Sequence, residues 1–97
     1  MCSSDLLRVA RAAVAAGRRY CPHSFSGGLA LLASLHVLAA AGGRGLLEFD
    51  AHPNPNRETI VGDLLPVRDG AVPVPSAPGV GAEPDLAALA RYRTWPA

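Results

Sequence analysis

Two polar side chains, His23 and Glu48, occur in sequence contexts that suit proton transfer. His23 ends the short run 19–23, and Glu48 interrupts the apolar run 45–49. An imidazole titrates near neutrality and a partly buried carboxyl group can stay protonated, so the pair would suit acid–base chemistry. The spacing taken alone favours a plainer interpretation, in which the histidine is satisfied by backbone near Pro22 and the glutamate is exposed at a strand end.

Helical and extended segments alternate in the first half of the chain. Residues 6–17 have apolar residues at helical spacing and end at a glycine, while residues 28–41 form a second helix that is apolar nearly all round. The runs 19–23 and 45–49 are predicted to be short strands, and the second is almost continuously apolar, as in a sheet covered on both faces. This order predicts parallel βα units whose strands end at one common face, where the two polar residues would meet.

Turn-forming residues dominate the second half. Residues 52–56 are predicted to be neither helix nor central strand, and residues 59–66 to hold a turn of helix or a short extended piece. Asp69-Gly70 is a strong tight-turn dipeptide, which predicts a hairpin over 67–74. A final short helix is expected over 85–93.

The composition excludes several classes of function. Hydrophobic residues make up 49% of the 97 residues, and nine prolines and ten glycines lie mostly in the second half. Part of the apolar surface is therefore expected to pack against segments that this chain does not contain. The net charge is +1, with arginine in place of any lysine, so we expect no nucleic-acid or membrane partner.

Cysteine usage and hydropathy indicate a cytoplasmic protein. Cys2 and Cys21 have no second ligand at metal spacing and form no disulfide framework, which suggests a reducing compartment. The N-terminus lacks the pattern of a signal peptide. The longest apolar run, 29–41, is shorter than the roughly 20 residues of a bilayer-spanning helix.

Four stretches of the sequence together resemble a known family. They are residues 21–36 (CPHSFSGGLALLASLH), 47–50 (LEFD) with 54–58 (NPNRE), 69–75 (DGAVPVP) and 78–85 (PGVGAEPD). In this order and spacing they resemble the end of the mandelate racemase/muconate lactonizing enzyme family, within the enolase superfamily. The resemblance implies an α/β fold, the C-terminal part of a (β/α)-barrel with strands 7 and 8 and their flanking helices, plus an irregular C-terminal segment.

The resemblance also implies a reaction. Enzymes of this family use Mg²⁺ to stabilise an enediolate that forms when a carboxylate or sugar-acid substrate loses its α-proton. His23 matches the family's seventh-strand general base or acid, and Glu48 matches the glutamate that hydrogen-bonds the enediolate oxygen. The family's metal ligands match no residue of this chain. The histidine favours racemases and acid-sugar dehydratases over lactonizing enzymes, and it leaves racemisation and dehydration both open.

Three regions follow from this interpretation. A common sequencing-adapter string can encode residues 1–6, so the authentic sequence is expected to begin near Leu7, although Ser4 or Asp5 would also suit a helix cap. Residues 7–50 would be the partial barrel. Residues 51–97 would form a loop, hairpin and short helix that pack on a capping domain. We expect the larger enzyme to be a homo-oligomer and the isolated chain to be inactive.

A different class of function stays open, namely a small non-enzymatic α/β interaction domain. Cooperative unfolding of a monomeric 97-residue chain would favour it, because isolated barrel strands leave open edges that should aggregate.

The other polar and aromatic residues receive structural interpretations: Ser26 as a helix cap, His36 in helix packing, His52 in a solvated loop, Cys21 in the core, Arg57 paired with Asp50 or Glu58, and Tyr92 and Trp95 as anchors on a neighbouring domain.

Overall fold

The structure, a computed structural model, describes residues 3–95. In this range it contains four α-helices, α1 (Ser3–Ala15), α2 (Gly28–Ala41), α3 (Pro55–Val61) and α4 (Leu86–Leu89). A single turn of 3₁₀ helix follows α3 (Gly62–Leu64), and another follows α4 (Ala90–Tyr92). No helix in this range combines the length and the hydropathy that a membrane span needs.

Helix α1 confirms the predicted first helix and ends as its sequence suggests. Gly17 has a φ of 71°, and its N–H donates to the Val14 carbonyl at 2.9 Å while the Arg18 N–H donates to the Ala13 carbonyl at 2.8 Å. This pair of bonds is a Schellman motif, in which glycine accepts the left-handed conformation without strain. The prediction that Ser4 or Asp5 caps α1 was wrong, because the helix already begins at Ser3.

Helix α2 confirms the predicted apolar helix and lies at the centre of the packing. Its N-cap is Gly27, which supplies no side chain, so the prediction that Ser26 caps this helix was wrong. The Ser26 hydroxyl lies 2.8 Å from that of Ser24. Both α1 and α3 pack against α2. The core cluster unites α2 with α3 and the turn after it, and its members are Leu31, Leu32, Leu35, Val61 and Leu65.

The two predicted strands are extended segments that lie side by side. The Glu48 N–H donates to the Pro22 carbonyl at 3.1 Å, and a side chain at position 45 would collide with the Tyr20 carbonyl. Tyr20 thus faces Gly45 and Pro22 faces Glu48, so the segments run in the same direction, as expected for a parallel pair. Within residues 3–95, however, neither segment has the repeated ladder of hydrogen bonds that defines a β-strand.

The second half corrects one prediction and confirms two. Pro55 and Asn56 belong to α3, so the prediction that residues 52–56 exclude helix was wrong at its last two positions. Asp69 and Gly70 both have positive φ, 51° and 74°, and the flanking residues 68 and 71 exchange two backbone hydrogen bonds of 2.9 Å, which confirms the tight turn. Helix α4 and its 3₁₀ turn confirm the final short helix, with Asp85 as the N-cap.

Candidate functional site

His23 lies on an exposed turn between the first extended segment and α2. Its ring packs edge-on against Phe25, with ring centroids 4.2 Å apart and an interplanar angle of 81°. The residue before it, Pro22, is buried, so the backbone at this position is held by packing while the imidazole faces outward. An accessible imidazole on a fixed backbone is a suitable arrangement for a group that exchanges a proton with a substrate.

Glu48 is also exposed, and its backbone contact connects it to the histidine segment. The N–H of Glu48 donates to the carbonyl of Pro22, the residue that directly precedes His23. One residue pair earlier along the same two segments, the Leu46 N–H points at the Cys21 Sγ at 3.5 Å. The two predicted site residues therefore occupy neighbouring backbone positions at the same end of a parallel pair of segments.

A separate apolar groove of about 370 Å³ lies between α2, the second extended segment and the turn at residues 67–72. Leu35 and Leu38 of α2, Leu46 and Phe49 of the extended segment, and Val72 are among its lining residues. Neither His23 nor Glu48 lines it. Lacking a titratable side chain in its lining, this groove is not suited to proton transfer.

Arg57 is the buried charged residue of the core and connects α3 to the segment after Glu48. Its Nη2 donates to the His52 carbonyl at 2.8 Å, and its Nη1 lies 3.6 Å from Asp50 Oδ2. The guanidinium carbon lies 5.5 Å from the centre of the Phe49 ring, a cation–π contact. Nη2 also lies 3.7 Å from Glu58 Oε1, so both predicted ion pairs of Arg57 are confirmed.

The start of α3 is fixed by two reciprocal side-chain bonds. Asn54 Oδ1 accepts from the Arg57 N–H at 3.2 Å, and Glu58 Oε1 accepts from the Asn54 N–H at 3.0 Å. The arrangement resembles a capping box, displaced by one residue. Asp50 Oδ1 in turn accepts from the His52 N–H at 3.0 Å, so both oxygens of Asp50 already face donors.

Metal-binding capacity is low in the part of the chain that the structure describes. Among residues 3–95, no three His, Cys, Asp or Glu side chains cluster as a metal site would require. Glu48 stands alone, and Asp50 is committed to Arg57 and His52. The residues present therefore do not fit a Mg²⁺ site.

Of the remaining candidates, His36 and His52 have the structural settings that the sequence suggested, whereas Cys21 lies outside the buried core cluster. His36 is half-buried, and its Nε2 donates to the Val80 carbonyl at 3.1 Å, which confirms a packing role. Cys21 is half-buried and His52 is exposed in the loop before α3. Cys2 lies outside the described residues. Tyr92 and Trp95 are exposed, and their anchoring on another domain stays a prediction.

Sequence reasoning missed the degree to which Arg57 is buried. Its exposed fraction is 9%, although arginine is among the residues least often found inside proteins. A signal was present in the sequence, since Asn54-Pro55 followed by Arg57-Glu58 has an N-cap residue, proline at the first helical position and an acid in the first turn. Those features predict a helix that begins at residue 55. Arg57 would then lie in its first turn, next to the part of the chain that precedes the helix.

Comparison with known proteins connects this geometry to a family. Residues 3–88 match the sequence model of the family described as enolase C-terminal domain-like. The chain is also 30% identical over 98 aligned positions to a D-galactarolactone cycloisomerase of Agrobacterium fabrum, strain C58. That alignment covers 93% of this chain and 26% of the relative, so the chain spans about a quarter of the relative's length. No solved structure matched the chain.

The family match covers most of the chain and includes both His23 and Glu48. The α/β-barrel-related fold of this family agrees with the parallel course of the two extended segments and with the helix between them. The chain belongs to the enolase superfamily, in its mandelate racemase/muconate lactonizing enzyme family, and residues 3–88 match part of the C-terminal domain of those proteins.

Proposed function

We propose that this chain contributes the acid–base residues of an enzyme that removes the α-proton of a carboxylate substrate and passes through an enediolate. His23 is the general base or acid, and Glu48 forms a hydrogen bond to the developing enediolate oxygen. The observation that carries the proposal is the hydrogen bond from the Glu48 N–H to the Pro22 carbonyl, because it puts the glutamate beside the histidine segment. Both residues lie within the stretch that matches the family model, residues 3–88.

The chemistry of these two residues can be written in full. The imidazole of His23 takes the α-proton as H⁺, and the C–H electron pair moves into the bond between the α-carbon and the carboxylate carbon. The negative charge that develops is then shared by the carboxylate oxygens, where a hydrogen bond donated by Glu48 in its carboxylic acid form lowers its energy. In a racemisation, a second acid in the rest of the enzyme delivers a proton to the opposite face of the α-carbon. In a dehydration, the enediolate electron pair forms a double bond between the α- and β-carbons, and the β-hydroxyl group leaves with the C–O electron pair and the proton held by His23, as water.

The ligands of the metal ion would be residues other than 3–95 of this chain. Members of the enolase superfamily generally use Mg²⁺, which supplies Lewis-acid stabilisation of a substrate carboxylate. Residues 3–95 do not fit such a site, so its ligands would come from other parts of the enzyme. The roles proposed for His23 and Glu48 require only that these two side chains face the substrate.

Exposed apolar surface supports the proposal that the isolated chain is incomplete and inactive. Large apolar side chains are exposed in the turn after the first extended segment, on the second segment and beyond it, among them Phe25, Leu46, Phe49 and Val67. The radius of gyration is 14.6 Å, against about 13 Å for a compact domain of 100 residues. Both features are expected if the rest of a barrel covers this surface.

A second candidate reaction is the opening or isomerisation of a sugar-acid lactone. The observation that favours it is the similarity to the Agrobacterium cycloisomerase, whose name gives D-galactarolactone as its substrate. Both reactions begin with proton removal next to a carboxyl-derived group, so both would use His23. A panel of sugar acids and their lactones would separate them, because the reactive member of the panel identifies the reaction.

The central test is His23→Asn in the enzyme that contains this region. Without the imidazole, exchange of the substrate α-proton in D₂O, followed by NMR, should slow by about 10²-fold or more, while substrate affinity changes by less than about threefold. His52→Asn is the matched control, since His52 is exposed and lies in a different loop. Unchanged turnover in His23→Asn would refute the proposal.

Glu48→Gln tests the second role separately. The amide keeps the size of the side chain and removes the carboxyl group, so kcat should fall by about 10- to 100-fold with little change in KM. Glu83→Gln serves as the control because Glu83 is an exposed glutamate away from the pair. Equal kinetics for the two variants would remove Glu48 from the mechanism.

A measurement on the 97-residue chain itself separates the enzyme proposal from the interaction-domain alternative. We expect the chain to self-associate and to lack a cooperative thermal transition, because its apolar edges are uncovered. Sedimentation and differential scanning calorimetry would report both properties. A monomer with a sharp transition would instead favour a self-contained interaction domain.

A further inference from the structure

Arg57 contacts three of the four residues that follow Glu48. The guanidinium donates to the His52 carbonyl, pairs with Asp50 and lies over the ring of Phe49. These contacts attach the segment that carries Glu48 to α3. Because the Arg57 side chain is only 11% exposed and the Asp50 side chain 16%, water screens this attachment little.

The backbone of Arg57 lies against the start of α2, the helix that follows the His23 turn. A Cβ atom at Gly28 would lie 3.0 Å from the Arg57 carbonyl oxygen and 2.5 Å from Val61 Cγ2, so α3 lies directly against the first residue of α2. Gly28 follows His23 by five residues, through the turn that carries the histidine. The side chain of Arg57 therefore contacts the segment that carries Glu48, and its carbonyl oxygen lies against Gly28, which follows the turn that carries His23.

We propose that Arg57 is a positioning residue that fixes the separation of His23 and Glu48. It acts on Glu48 through Phe49, Asp50 and His52, and on the His23 turn through the contact between α3 and Gly28. The inference rests on the proposed roles of His23 and Glu48, since a fixed separation matters to turnover only if both residues face one substrate.

The chemistry of arginine suits this role better than that of lysine. A guanidinium is planar and directs several N–H groups along fixed lines, so one side chain can face a carbonyl, a carboxylate and an aromatic ring together. The ammonium of lysine is a single point charge on a flexible stem and would satisfy one of these partners at a time. The bond between the Glu48 N–H and Pro22 should therefore weaken in Arg57→Lys, and weaken more in Arg57→Met.

Amide hydrogen exchange in the enzyme that contains this region tests the physical part of this proposal. We expect the Glu48 amide to exchange about tenfold faster in Arg57→Met, while an amide in the middle of α1, such as that of Ala10, changes by less than about twofold. Arg57→Lys should give an intermediate rate. Arg8→Met is the matched control, because the Arg8 side chain is 86% exposed, and it should leave the Glu48 amide unchanged.

Two exchange results would overturn the inference. One is an unchanged rate at the Glu48 amide. The other is equal acceleration at Glu48 and throughout α1, which would mean that Arg57 serves general stability alone. If Arg57→Met fails to fold, Arg57→Lys decides, since selective acceleration at Glu48 supports positioning and a wild-type rate refutes it.

Kinetics of the enzyme that contains this region test the functional part. Misplacing Glu48 should lower kcat by about tenfold in Arg57→Met with KM changed less than about threefold, and Arg57→Lys should recover part of the loss. An unchanged kcat, or a loss confined to KM, would overturn the positioning role. Failure of the proposed function is distinguishable, because His23→Asn and Glu48→Gln would then retain turnover whatever the exchange rate at the Glu48 amide.

Discussion

The two helices that pack against α2 use charge in opposite ways. On α1, Arg8 lies 3.9 Å from Asp5 with side chains 86% and 54% exposed, an arrangement that contributes little because solvent screens the pair. On α3, Arg57 lies 3.6 Å from Asp50 with both side chains mostly buried. Removing one member of a buried pair leaves its partner poorly solvated. Mutation of the Arg57–Asp50 pair should therefore cost far more stability than mutation of the Arg8–Asp5 pair.

The buried apolar residues also differ between α1 and α3. The core cluster contains three leucines of α2 together with Val61 of α3 and Leu65 just beyond it, whereas the buried apolar residue of α1 is Ala10. Both helices pack on α2, but the cluster of buried apolar side chains joins α2 to α3 and to the turn after it, although α1 is almost twice as long as α3.

The largest expected effect comes from truncating the centre of this core. Leu32 is fully buried, so Leu32→Ala removes buried methyl groups and leaves a cavity, which should lower the free energy of opening of α2 by about 3 kcal/mol. Leu29→Ala on the same helix is the control, because Leu29 is 43% exposed and should cost less than about 1 kcal/mol. Native-state hydrogen exchange of α2 amides, measured in the enzyme that contains this region, gives both values. Similar values would show that the α2–α3 core is not the centre of stability.

The next effect concerns the close approach of α3 to α2. In Gly28→Ala the new methyl group meets Val61 at 2.5 Å and the Arg57 carbonyl at 3.0 Å, and this overpacking should cost about 1–3 kcal/mol before a gain of up to about 1 kcal/mol in helix propensity. Gly27→Ala is the matched control, since its nearest atoms lie 3.7 Å or more away. Its loss should be about 0.5 kcal/mol, the cost of a poorer N-cap.

Exchange rates of the α3 amides measure this difference. They should rise in Gly28→Ala and change little in Gly27→Ala. Equal rates in the two variants would mean that α3 can move away from α2 without loss, which would also weaken the proposed action of Arg57 on the His23 turn.

The helices were predictable from sequence because their signals are local. The apolar spacing of α1, the glycine that ends it and the continuous apolar run of α2 all lie within the elements they specify. The Asp69-Gly70 turn is equally local, and it has the positive φ values that the dipeptide favours. In each case the deciding interactions join residues fewer than six positions apart.

The paired segments and the burial of Arg57 depend on distant contacts. Whether residues 45–49 form a full strand depends on hydrogen bonds from neighbouring strands, and within residues 3–95 the first segment supplies a single backbone bond to them. Arg57 is buried because α3 packs on α2 and covers the loop after Glu48, an arrangement that no periodicity within α3 encodes. The residue types of the candidate site could be predicted from the sequence. The contacts of Arg57 that fix the separation of His23 and Glu48 could not.

The smallest expected effect comes from removing the N-cap of α3, the helix that carries the buried Arg57. Asn54→Ala removes the side-chain oxygen that accepts from the Arg57 N–H, so α3 should lose about 1 kcal/mol. Asn54→Ser keeps an acceptor and should lose about half as much or less. Asn56→Ala is the control, because Asn56 is exposed within the helix and alanine has the better helix propensity.

Because α3 carries Arg57, loss of the Asn54 cap should also accelerate exchange at the Glu48 amide, by less than Arg57→Met does. Acceleration at α3 without any at Glu48 would mean that the guanidinium holds the loop independently of the helix start. In that case the greater sensitivity of α3 than of α1 to the loss of a charged side chain would depend on the Arg57 side chain alone. Acceleration at both would show that the cap, the buried ion pair and the candidate site residue form one cooperative unit.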